Sequence, residues 1–110
     1  MQVKTAVIQA GQFVSDVFSL GQITPYVIIT PSSWVPANLQ FQFSTDGTSF
    51  YDVSYKGIPM EVVCPAPNAA VKLVADMWTW PNGTYLKFIS RTNKANIIQP
   101  VACTLRIIAT

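Results

Sequence analysis

The most regular signal in the chain is Leu39-Gln-Phe41-Gln-Phe43-Ser44, in which apolar and polar residues alternate without a break. Successive strand side chains point to opposite faces, so Leu39, Phe41 and Phe43 share one side and Gln40, Gln42 and Ser44 the other. That pattern predicts a half-buried antiparallel strand. Asp46-Gly47 follows, a pair that tolerates the positive φ angles of a tight two-residue turn, and Phe50-Tyr-Asp-Val53 then returns as the hairpin partner. Upstream, the β-branched run Tyr26-Val-Ile-Ile-Thr30 is stopped by Pro31, and the stretch from Pro31 to Pro36 reads as a corner whose Trp34 plugs the end of the core. Downstream, Met60 to Cys64 and Val71 to Val74 read as short strands and Tyr85 to Ser90 as a longer one. At the end of the chain Val101, Cys103, Leu105 and Ile107 line one face of a last strand. No window of about 11 residues repeats apolar side chains at helical spacing without a Pro or Gly inside it.

About seven or eight short strands separated by Gly, Pro and Asn turns predict an all-β chain, an antiparallel β-sandwich, with a jelly roll as a candidate topology. Residues 1–15 are expected to be either its first strand or an arm that pairs with a neighbouring subunit, and residues 16–110 the sandwich domain itself. A chain of 110 residues is long enough for a core without staples.

Composition narrows the surface more than the core. Half of the residues are hydrophobic and 11% are charged, against about 25% charged in a typical soluble domain. Such a surface suits a protein held against a neighbour, or one whose exposed positions are Ser, Thr, Asn and Gln. The seven basic residues are scattered, with none of the clustering that nucleic-acid binding needs. No apolar stretch approaches the ~20 residues of a membrane helix, and the first residues lack a secretory leader pattern, so synthesis in the cytoplasm is expected. There Cys64 and Cys103, each inside an apolar segment, are expected to be reduced, buried thiols.

Catalytic chemistry has little to draw on. Histidine is absent, which removes the commonest general base and transition-metal ligand. Two cysteines cannot close a zinc site, and the five acids are spread along the chain. Asp46 and Gly47 are explained by their turn, and the glycines are isolated at turns rather than gathered in a phosphate-binding loop. The expectation is therefore a non-enzyme with no cofactor, no metal and no small-molecule substrate. Binding candidates are the apolar positions Val3, Val7, Ile8 and Phe13 of the N-terminal stretch, together with Trp78 and Trp80. The two tryptophans stand two apart, so an extended backbone sends both to one side with Asp76, at an interface or over the open end of the sandwich.

Four segments occur in a suggestive order: Ile29-Thr-Pro-Ser-Ser-Trp34, then Leu39 to Thr48 with Phe50, then Tyr85-Leu-Lys-Phe-Ile-Ser90, and finally Leu105-Arg-Ile-Ile108. This order of a Pro-Ser-Trp corner, a Phe-Gln-x-Ser-x-Asp-Gly hairpin and a lysine-bearing strand resembles small β-sandwich proteins encoded among the structural genes of tailed bacteriophages. The resemblance covers roughly residues 20 to 110. It implies a virion component, first a capsid decoration or cement protein that adds to the outer surface of the shell as a homo-oligomer. Its partner would be the major capsid protein and its location the capsid surface. A tail or baseplate component is the nearest alternative. A carbohydrate-binding module, favoured by Trp78 and Trp80, is the next.

Overall fold

In the computed structural model, which describes residues 1–64, 66–73 and 78–110, every regular element is a β-strand. Twelve strands occur among the described residues: β1 (Gln2–Ile8), β2 (Phe18–Ser19), β3 (Pro25–Ile29), β4 (Ala37–Ser44), β5 (Tyr51–Asp52), β6 (Ser54–Tyr55), β7 (Ile58–Pro59), β8 (Val62–Cys64), β9 (Ala70–Lys72), β10 (Tyr85–Thr92), β11 (Ala95–Asn96) and β12 (Cys103–Ala109). The excess over seven or eight comes from two-residue pieces: β5 and β11 at edges of the second of two larger sheets, and β6 and β7, which pair with each other as a small third sheet. All pairings are antiparallel.

The first sheet runs in the order β1-β12-β3-β9. In the second, β10 pairs with β4 along Tyr85 to Ser90, β2 takes the far edge of β10, and β5 and β8 divide the far edge of β4. Reading only the principal strands, the second sheet is β2-β10-β4-β8. Along the chain the strands switch between the two sheets at every step except from β4 to β8. That double Greek-key order is a jelly roll.

The inner faces follow the alternation seen in the sequence. Ala6 and Ile8, Ile28, and Cys103, Leu105 and Ile107 point inward from the first sheet, and Phe18, Leu39, Phe41, Leu86 and Phe88 from the second. Phe41 stands edge-on to Phe88 at 5.5 Å and to Trp78 at 4.8 Å. A fully buried side chain of this size stabilises the fold by about 1.5–3 kcal/mol. Trp34 closes one side of the core, its indole N–H donating to the Cys64 carbonyl at 3.0 Å.

Several local expectations change. Asp46-Gly47 does not make a tight turn: only Gly47 has positive φ, and the last paired residues are Phe43 and Tyr51, so a wider loop spans 45–50. Side chains hold this loop instead. The Ser44 hydroxyl accepts from the Asp46 and Gly47 N–H groups and donates to the Asp46 carboxylate, which itself accepts from Thr48 and Ser49 N–H. Those donors, Ser49 first, keep the Asp46 carboxyl below its ordinary value. The tight hairpin lies ten residues on, between β6 and β7, where Lys56 and Gly57 both have positive φ, 53° and 82°. Lys87 and Arg91 lie inside β10. Val101 precedes β12 in a bend and is 57% exposed, so the inward row begins at Cys103. The outer positions Gln40 and Ser44 of β4 are buried too, so this strand is covered on both faces at its middle and at its end.

Cys64 and Cys103 are free thiols, buried in different sheets. Burial pushes the Cys64 thiol up from 9.0 to about 12. The folded protein thus keeps this proton over a pH range in which the unfolded chain has released it. Stability is then expected to fall as pH rises from about 9 towards 12, by at most about 1.4 kcal/mol per pH unit. Urea unfolding at pH 8, 9, 10 and 11 checks this against Cys64→Ala. Equal pH slopes in the two proteins would show that the thiol plays no part.

Candidate functional site

Residues 1–15 lie within the sandwich. The stretch Gln2–Ile8 pairs with β12 along its whole length as the edge strand of the first sheet. Residues 11–15 then cross to the second sheet, where the Phe13 carbonyl accepts from Ser90 N–H at 2.7 Å and Ser15 N–H donates to the Phe88 carbonyl at 2.8 Å. Within the chain, residues 2–8 thus form a strand of the first sheet.

That placement divides the binding candidates. Ile8 and Trp78 are core residues with no surface to offer, which corrects their assignment as partner contacts. Ile8 is inward because even-numbered residues of β1 face the core. Trp78 is inward because Phe41, Phe88 and Trp80 surround its ring. Trp80 is half-buried, stacked on Phe43 at 5.6 Å and edge-on to Trp78 at 5.8 Å, so the two rings pack on each other instead of forming a platform. A groove of about 340 Å³ does open beside Trp80, against Phe43, Val53, Pro81 and Tyr51, the last 67% exposed. Asp76 lies outside the described residues. Phe13 is half-buried along β10, away from β1.

Val3 and Val7 are different, because the register carries their face across the whole sheet. Val3 sits beside Ile108, Ile108 beside Val27, and Val27 beside Lys72. The next outward row is Thr5, Arg106, Ile29 and Ala70, followed by Val7 beside Thr104. Antiparallel sheets that face water on one side normally turn polar residues outward. Here five β-branched aliphatic side chains point out, Val3 at 52% exposure and Val7, Val27, Ile29 and Ile108 half-exposed. Val3, Ile108, Val27 and Ile29 adjoin one another in this register, while Val7 stands apart beside Thr104.

Polar chemistry on the same sheet is one-sided. β1, β3, β9 and β12 carry Lys4, Lys72 and Arg106 and not one Asp or Glu. Asp16, the acid nearest in the pairing, is held at the lower edge: its carboxylate accepts from Val7 N–H at 2.9 Å and its own N–H donates to the Val7 carbonyl at 3.0 Å. Since Val7 turns its backbone groups away from β12, so do Val3 and Thr5. Their N–H and C=O groups line an edge with no partner strand among the described residues.

The sheet-two cations are engaged locally. Lys87 lies over the Phe50 ring at 4.4 Å, and Arg91 donates to Asn96 at 2.7 Å and to Gln40 at 3.4 Å. Among the described residues no three Cys, Asp or Glu side chains gather as a metal site. Compared with protein-family models, curated proteins and solved structures, the chain matches none.

Sequence reasoning found Val3 and Val7 but missed Val27, Ile29 and Ile108. A signal was present: Tyr26-Val-Ile-Ile and Ile107-Ile108 are apolar at both odd and even positions, which in a strand means apolar on both faces.

Proposed function

We propose that this protein is a bacteriophage virion component of the capsid decoration type, which binds the outer surface of the shell and stabilises it. The observation that carries the reading is the outward apolar face of the first sheet. A stable folded domain that leaves Val3, Ile108, Val27 and Ile29 side by side has a surface suited to being covered by another protein. The jelly-roll strand order supports it, since that architecture recurs in viral capsid domains, although folds alone do not select functions. The sparse charge fits a contact made chiefly of apolar burial and hydrogen bonds.

Such a protein works by mass action. Binding only to the assembled lattice stabilises that state by the free energy of binding, repeated over many copies, and a homo-oligomer would engage several lattice sites at once. The major capsid protein is the partner in this reading.

The test compares particles made with and without the protein. Particles carrying it are expected to resist heat and low ionic strength better, with density for the sandwich on the shell exterior. Ile108→Asp is expected to weaken loading roughly tenfold or more while leaving the urea midpoint of the free protein near that of the wild type. Recovery of the protein with detached tails would favour the tail or baseplate reading and overturn this one. Deleting residues 1–15 is not a clean alternative, because it removes β1 from the sheet.

A further inference from the structure

Resting on the reading of the first sheet as a docking face, we infer that its partner is an acidic protein surface, one with an apolar centre and a carboxylate opposite Arg106. The argument is charge complementarity. Arg106 is exposed in the middle of the face, between Thr5 and Ile29 in its row and next to Ile108 along β12. Lys72 closes the adjacent row at the β9 edge. No acid on these four strands neutralises either cation, and the Asp16 carboxylate is turned to a backbone N–H.

Burying this face against a neutral apolar surface would strip water from an unpaired guanidinium, which is costly. A carboxylate opposite it reverses the sign of that term. The planar fork of Arg donates two parallel hydrogen bonds to a carboxylate, which fixes orientation as well as affinity. Lys72, a point charge at the rim, contributes mainly to the rate of encounter. The apolar rows then supply the contact area, and the two cations select which apolar surface is accepted.

Two probes test this. The first is a mixed methyl- and carboxylate-terminated monolayer, compared with a methyl- and ammonium-terminated one, with binding of the intact protein read by surface plasmon resonance. Wild type is expected to prefer the carboxylate surface and to lose that preference as salt shortens the Debye length to about 3 Å. Arg106→Glu with Lys72→Glu should weaken binding by about tenfold or more. Lys56→Glu with Lys94→Glu, the same charge change at exposed positions off this sheet, should stay within about twofold. Equal weakening by both pairs would reduce the effect to net charge and overturn the inference. So would binding to phosphatidylserine vesicles in place of the carboxylate monolayer, or self-association that the Arg106 and Lys72 changes abolish.

The second probe is the phage shell. Shell loading that survives Arg106→Glu with Lys72→Glu overturns this inference and leaves the virion reading standing. A wild-type protein that selects carboxylate surfaces yet never loads on shells does the reverse.

Discussion

Trp78→Ala is expected to lower the free energy of unfolding by about 3–5 kcal/mol, whereas Trp80→Ala should cost about 1–2 kcal/mol. The difference follows from position. Trp78 is fully buried and meets Phe41 edge-on at 4.8 Å and Phe88 at 6.4 Å, so its removal opens a cavity in the middle of the aromatic cluster. Trp80 lies at the rim, where solvent and the neighbouring groove can fill the space. Both indole N–H groups are buried without an acceptor among the described residues. An unpaired buried donor costs about 1–3 kcal/mol, so Trp78→Phe should be clearly milder than Trp78→Ala. Equilibrium urea unfolding of the three variants decides the matter. Equal losses for Trp78→Ala and Trp80→Ala would mean that the cluster is not centred where the ring geometry puts it.

The second large effect is expected at Gln99, a completely buried polar side chain. Its carbonyl oxygen accepts from Val35 N–H at 2.8 Å, and its amide donates to the Val35 carbonyl at 3.0 Å and the Ser90 hydroxyl at 3.1 Å. Its backbone bonds Gly11 and Gln12. One residue therefore ties the Pro-Ser-Trp corner, β10 and the loop after β1 to the approach of β12. Gln99→Ala is expected to cost about 2–4 kcal/mol, because partner groups lose their bonds and a cavity appears. Gln99→Leu fills most of the volume but satisfies none of the partners. Thermal unfolding should therefore place it close to Gln99→Ala. A leucine variant as stable as wild type would show that packing, not hydrogen bonding, is what this position supplies.

These two sites mark how far the sequence could be read. Strict alternation in Leu39 to Ser44 and in Cys103 to Ile107 exposed the core strands directly, because a period of two has one physical meaning. Trp78 and Trp80 were ambiguous, since spacing alone cannot say whether the backbone between them keeps both rings on one side. Gln99 carried no local signal: it sits between Ile98 and Pro100 outside any strand, and its partners Gly11, Gln12 and Val35 lie far away in the chain. The Asp46-Gly47 turn misled because Ser44 offers that loop side-chain hydrogen bonds, a competing solution invisible to dipeptide preference. The outward apolar face of the first sheet was half legible. Val3 and Val7 stand out as apolar residues near the start of the chain, but their continuity with Ile108 and Val27 is created by register, and strand register across residues 3, 108 and 27 is not a local property.

The position of β12 has a consequence for how the chain can fold. It lies between β1 and β3, so the first sheet has a gap at its centre until residues 103–109 have been made. Contacts of such long sequence separation form slowly, since the loop must close before any of them is rewarded. During synthesis the early strands must therefore wait with the hydrogen-bonding edges of β1 and β3 unpaired. A product truncated before residue 103 would keep those two edges open to pairing with another chain.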